Sequence, residues 1–218
     1  MNLPENLILK QFEIGPLNNF LYFIGDEQTK EIAVVDPAWD VPFLCEEAKK
    51  NDYKITAIFL THGHPDHVNG LDEILQTHDV PAYISKEEAP FLKPSHKNIV
   101  EISDEHILTV GNIDFECIVT AGHTPGCQSF RHKDVVLTGD ALFIDGCGRV
   151  DLPGGDVQDT YYTLYEIMPT WPETNIIYPG HNYGPTPFAT LESQRKTNPY
   201  LTCQSYEEFL STRMGLSI

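Results

Sequence analysis

Apolar residues fall into short runs whose period changes along the chain. Leu7 to Ile14 and Asn18 to Gly25 are separated by Gly15 and Pro16, and Ile32 to Val35 stops at Asp36 and Pro37. Runs of this length broken by turn residues predict a meander of strands. At Phe43, Leu44 and Ala48, set among Glu46, Glu47, Lys49 and Lys50, the period becomes helical, and Ile55 to Leu60 returns to strand. The alternation repeats, with an apolar helical face at Val68, Leu71, Ile74 and Leu75 before a strand at Val80 to Ile84. Short strands resume at Ile107 to Val110, Ile113 to Val119 and Val135 to Thr138. A helix near Gln158 to Met168, a strand at Ile176 to Tyr178 and closing helices near Pro187 to Lys196 and Tyr206 to Met214 follow. No repeat, low-complexity tract or linker intervenes. The expectation is one α/β domain over residues 1–218, two sheets covered by helices in layers, with a short C-terminal helical extension over about 187–218.

Composition narrows the class of partner. The 218 residues carry 14 Lys+Arg against 32 Asp+Glu, a net charge of −18. So acidic a chain offers no basic surface to neutralise phosphates, which argues against nucleic acid and anionic membranes as partners. No apolar run approaches the roughly 20 residues of a membrane span, and Met1 to Glu5 lacks the regions of a signal peptide. A soluble, cytoplasmic protein is expected. Its cysteines (Cys45, Cys117, Cys127, Cys147 and Cys203) are odd in number and widely spaced, which predicts free thiols rather than a disulfide framework.

Directly after the strand ending at Leu60 come Thr61, His62, Gly63, His64, Pro65, Asp66 and His67. In extended backbone, residues two apart point the same way, so His62 and His64 can grip one ion. Asp66 and His67, at the turn into the next helix, can point toward a second. Singly, Asp66 reads better as a helix cap and each His as a solvated loop residue. Together they form the donor set of zinc, iron or manganese. Further candidates sit beside glycines at other strand ends: His123 in Gly122 to Gly126, Asp140 after Gly139, and His181 after Gly180. No serine has a G-x-S-x-G setting, and Cys127 and Cys147, nearest these residues in the sequence, read as structural.

The Thr61 to His67 motif resembles the T-H-x-H-x-D-H of the metallo-β-lactamase superfamily, and His123, Asp140 and His181 follow in that family's order. The resemblance implies a four-layer αββα sandwich with the site at one edge between the sheets. It implies two divalent ions, zinc first, with iron or manganese as alternatives. His62, His64 and His123 would bind one, Asp66, His67 and His181 the other, with Asp140 bridging. Asp36 would brace the ligand loop, or serve only as a turn residue before Pro37. The implied chemistry is hydrolysis by a metal-bound hydroxide.

Within that superfamily, Gly146 to Arg149 and Tyr178 to Tyr183 are similar to glyoxalase II, the hydroxyacylglutathione thioesterase. The similarity implies a thioester or glutathione-derived substrate touched by Arg149 and Tyr183, although Arg149 reads equally as part of a salt bridge. Asp151 stands where glyoxalase II has an aromatic residue, and only 37 residues follow His181, too few for the full helical domain of the long enzymes. The same stretch, as G-C-G-R-x-D, also looks like the persulfide dioxygenases, in which residues matching His62, His123 and Asp140 hold a single iron. The complete motif and the Pro153 to Asp156 stretch favour the hydrolase.

Overall fold

The computed structural model describes residues 3–92 and 98–215. They build two six-stranded sheets packed face to face. The first sheet runs in chain order: β1 (Leu7–Ile14), β2 (Asn19–Asp26), β3 (Glu31–Val35), β4 (Lys54–Phe59), β5 (Ala82–Ser85) and β6 (Ile99–Ile102). The first three strands are antiparallel hairpins. From β3 onward the pairing is parallel, and such pairing needs crossovers. The first two are α1 (Val41–Lys50), between β3 and β4, and the pair α2 (Pro65–Val68) and α3 (Leu71–Thr77), between β4 and β5.

The second sheet holds β7 (Ile107–Val110), β8 (Ile113–Val119), β9 (Gln128–His132), β10 (Val135–Gly139), β11 (Ile176–Pro179) and β12 (Ala189–Thr190). A crossover containing α4 (Val157–Tyr162) makes β10 and β11 parallel, while α5 (Leu191–Thr197) and α6 (Tyr206–Met214) close the chain.

The two-residue side-chain period sorts the strands into three apolar seams. Phe20, Tyr22 and Ile24 face the second sheet, where they meet Phe115, Phe130, Leu137 and Tyr178. Their neighbours Leu21 and Phe23 face outward onto Leu44, Leu71 and Ile74 of the helices. Val136 and Ile177 turn the other way, onto Leu164, Met168, Leu191 and Phe209. The order is helix, sheet, sheet, helix, the αββα sandwich.

Several elements differ from the sequence expectation. The apolar face at Val68 to Leu75 is not one helix, because Gly70 presses against the loop after β3. A Cβ there would lie 2.9 Å from the Pro37 carbonyl oxygen, and the Gly70 N–H donates to that oxygen. The closing helix expected from Pro187 starts only at Leu191, capped by Thr190, because Ala189 and Thr190 pair with β11. The helix near Gln158 to Met168 is regular only to Tyr162, then widens into a π turn and tightens over Met168–Thr170. Strands β6, β9 and β12 were not foreseen, and residues 216–218 of the expected C-terminal extension lie outside the described residues. Among the described residues no helix is long and apolar enough to cross a membrane.

Candidate metal centre

Sheet register brings the chemistry to one edge. Val35 pairs with Phe59, so the residues that follow, Asp36 and the Leu60 to His67 loop, leave the first sheet side by side. Gly139 pairs with Pro179, which sets Asp140 beside Gly180 and His181. The β8–β9 loop carries His123. The two sheets are tied at this edge by backbone bonds from Phe20 N to the Gly180 oxygen and from Gln128 N to the Thr61 oxygen. The Gln128 side chain adds a third, donating to the Leu60 oxygen at 2.8 Å.

Two donor groups result. In the first, His64 Nδ1 lies 3.1 Å from His62 Nε2 and 2.9 Å from His123 Nε2. In the second, His67 Nε2 and His181 Nε2 are 3.1 Å apart, and Asp66 Oδ2 is 3.6 Å from the former and 3.4 Å from the latter. Asp140 stands between them, with Oδ1 3.4 Å from His67 Nε2 and Oδ2 3.5 Å from His123 Nε2 and 3.3 Å from His181 Nε2. Either triad is compact enough to hold an ion. The approach is close enough to require glycine at 180, where a Cβ would lie 2.3 Å from Asp140 Oδ1.

The outer ring atoms explain why these nitrogens point inward. The Nδ1 protons of four rings are taken by the protein: His62 by Thr61 Oγ1, His67 by Asp36 Oδ2, His123 by the Arg149 carbonyl and His181 by the Leu17 carbonyl. Each bond fixes the tautomer and leaves the Nε2 lone pair facing the site. Thr61 Oγ1 accepts because its own proton goes to Asp36 Oδ2 at 2.6 Å. Asp36 is therefore a brace rather than merely a turn residue.

Electrostatics point the same way. Burial, then the neighbouring His67, holds His62 well below its ordinary pKa. Burial, then His123, lowers His64 to about 4. For His67 burial is also the largest influence and acts downward, but Asp140, Asp36 and Asp66 together outweigh it and raise the ring to about 9. Burial would raise Asp140, yet His67, His181 and His62 hold it well below the carboxylate range. The three carboxylates that raise His67 make this a position that favours positive charge. Asp140 Oδ1 is buried with no hydrogen-bond partner, and a buried carboxylate oxygen left so is costly unless a cation completes it. Imidazole nitrogens and carboxylate oxygens converging on such an atom fit divalent transition-metal ions.

The remaining predicted residues flank this centre. Tyr183 stacks on His181, with ring centroids 4.6 Å apart and planes 9° from parallel, and Phe143 meets both rings edge-on. Arg149 supports His123 through its carbonyl, while its guanidinium forms two bonds to Asp151, at 2.9 and 2.8 Å, out in solvent. Asp66 is not the helix cap its position allowed. That place belongs to His64, and Asp66 lies in the first turn. Cys127 and Cys147 are buried in the outer seam of the second sheet, and all five cysteines are free.

Sequence reasoning missed two supports. Glu88, fully buried, accepts from the N–H groups of Gly63 and Gly126 at 2.9 and 3.1 Å, joining the two loops that carry the His triad. Asn19, at the start of β2, donates to Asp66 and accepts from Trp39. Glu88 sits in a charged run that reads as solvated, and Asn19 beside Asn18 reads as a turn, so neither carried a signal.

The sequence model of the metallo-beta-lactamase superfamily matches residues 14–181. Human mitochondrial persulfide dioxygenase ETHE1 is 32% identical over 219 residues, covering 97% of this chain and 82% of its own. Hydroxyacylglutathione hydrolase of Haemophilus ducreyi is 31% identical over 231 residues, covering 90% and 93%. The crystal structure of ETHE1 from Myxococcus xanthus superposes with a TM-score of 0.87 at 27% identity, covering 97% of this chain and 92% of that one.

Proposed function

The chain belongs to the metallo-β-lactamase superfamily, and from that premise we propose that it is a metal-dependent hydrolase holding two divalent ions and cleaving a small thioester such as a hydroxyacylglutathione. The observation that carries the proposal is Asp140, whose two carboxylate oxygens face both donor groups, Oδ1 without any other partner. His62, His64 and His123 would hold one ion, Asp66, His67 and His181 the other, and Asp140 both. Zinc is the first expectation, iron or manganese the alternatives. Such a pair acidifies water and polarises the attacked carbonyl. The protein supplies the rest: outer hydrogen bonds that hold the rings of His62, His67, His123 and His181 in place. A thioester suits a site without an evident general acid, because a thiol is far more acidic than an alcohol and its thiolate leaves unaided. Tyr183, stacked on His181 and half-exposed, and Arg149 at the rim would touch the substrate.

The Pro153 to Asp156 stretch supports the compact hydrolase. Asp156 caps α4 and its N–H donates to the Gly122 carbonyl, next to His123. A second reading, an iron persulfide dioxygenase using His62, His123 and Asp140, draws on the 32% identity to ETHE1 over nearly the whole chain. One comparison separates the two. The hydrolase releases free thiol from S-lactoylglutathione anaerobically, in the zinc, iron or manganese form. Iron-dependent oxygen uptake with glutathione persulfide, without thioester cleavage by any form, would replace it with the dioxygenase.

A further inference from the structure

Asn19 is 1% exposed, and its whole amide is engaged. Nδ2 donates to Asp66 Oδ2 at 3.0 Å and to the Asp66 carbonyl at 3.1 Å, while Oδ1 accepts from Trp39 Nε1 at 2.9 Å. Because an indole can only donate, the amide has one permitted orientation. A flip would turn its NH2 toward the indole N–H and its oxygen toward a carboxylate. Trp39, 37% exposed, is itself anchored at three points. Its ring covers Gly15, where a Cβ would lie 2.4 Å from it, its backbone is left-handed at φ 62°, and its N–H donates to Asn69 Oδ1 at 2.7 Å. A non-glycine residue held in that conformation is over-determined by its surroundings.

The residues of the second donor group differ in what else holds them. His67 is tied to Asp36 and His181 to the Leu17 carbonyl, each by its own Nδ1 bond. The Asp66 side chain is 21% exposed, against 8% for Asp140 and 3% for Asp36, so it has solvent to turn into. The oxygen Asn19 grips, Oδ2, is the one that faces His67 and His181. The backbone of Asn19 also bridges to His181, whereas the first triad is braced elsewhere, by Thr61, the Arg149 carbonyl and Glu88.

We propose that Asn19, oriented by Trp39, is a positioning residue that holds Asp66 in its ligating rotamer and thereby sets occupancy of the second ion position without affecting the first. This rests on the two-ion reading above. A brace of this kind behind a metal ligand changes affinity by roughly 10–100-fold. Unlike loss of Asp36 or Asp140, whose bonds reach both groups, loss of Asn19 should separate the two positions.

The test is a cobalt(II) titration of the metal-free wild-type chain, Asn19→Ala and Trp39→Phe, following d–d absorption and chelator competition for each equivalent. Wild type should take up two equivalents. Asn19→Ala should bind the first with unchanged affinity and spectrum and the second some 10–100-fold more weakly. Trp39→Phe keeps a ring over Gly15 but removes the donor that orients the amide, so it should weaken the second equivalent by less, and it decides the matter if Asn19→Ala does not fold. Wild-type affinity for the second equivalent in both variants overturns the positioning role while leaving the two-ion reading intact. Equal weakening of both equivalents overturns the selectivity. A wild-type chain that takes up a single equivalent overturns the two-ion reading and this role with it.

Discussion

The carboxylate of Asp36 accepts the Nδ1 proton of His67 at 2.9 Å, with both side chains closed off from solvent. The same oxygen accepts from Thr61, whose hydroxyl in turn orients His62, so one carboxylate reaches into both donor groups. Asp36 itself sits at φ 51°, a conformation that asparagine tolerates nearly as well as aspartate. Asp36→Asn keeps the side chain's size, but Oδ1 already accepts from the Thr61 N–H and Oδ2 from both Thr61 and His67, so the new NH2 must face a donor, and the substitution breaks part of this bonding as well as removing the charge behind His67 and, through Thr61, His62. Affinity for both ions should fall about 10–100-fold in chelator competition. An unchanged affinity would show that the loop geometry alone suffices.

Asp140→Ala probes the bridge. Because the carboxylate is within 3.5 Å of donor nitrogens from both groups, truncation removes a ligand from each ion, and neither should remain through purification. Elemental analysis giving two ions per chain at native affinity would contradict the bridging assignment.

What the sequence revealed and what it hid follow one physical rule. The clustering of His62, His64, Asp66, His67, His123, Asp140 and His181 was legible because the donor groups that suit a metal ion come from a few residue types, and strand ends are where a layered scaffold can gather them. The αββα layering was legible in the two-residue period of strands such as Phe20 to Ile24. Strand β9 was not, because Gln128 and Ser129 spend their side chains on buried hydrogen bonds rather than apolar contact. The break at Gly70 was invisible for a different reason: it is imposed by Pro37, distant in sequence. Glu88 and Asn19 escaped likewise, since their partners lie 20 to 47 positions away along the chain and a lone polar residue gives no hint of them. Ligands announce themselves by type, supports only by contact.

The Arg149–Asp151 pair bears on the substrate. Both side chains are more than half exposed and bonded through two contacts, so the guanidinium that the proposed function assigns to an anionic substrate is already paired with its neighbour. Asp151→Asn should free it and lower KM for a carboxylate-bearing thioester about 2–5-fold, the scale of an exposed ion pair, with kcat unchanged. Arg149→Ala should raise KM. If neither variant moves KM while both move stability, the pair is only structural and the substrate is held elsewhere.

The thiols provide a pH test independent of the metal centre. Burial, reinforced by Glu116 and Asp104, pushes Cys117 up to about 12. Burial likewise lifts Cys147 to about 12 and holds Cys127 well above its ordinary value. Only the thiolate attacks a disulfide reagent, so a group of pKa about 12 presents on the order of one reactive form in ten thousand at pH 8. The sign follows: in the folded chain the reactivity of Cys117 and Cys147 should rise about tenfold per pH unit from 8 toward 11 for as long as the fold persists. Cys45, partly exposed and also raised by burial, should be labelled well before Cys117, Cys127 and Cys147 at pH 8. Unfolding without reductant should then release five thiols. A smaller number, with air oxidation excluded, would contradict the five free thiols. Labelling of Cys127 as fast as Cys45 at pH 8 would mean that the second sheet's outer seam opens far more often than its packing implies.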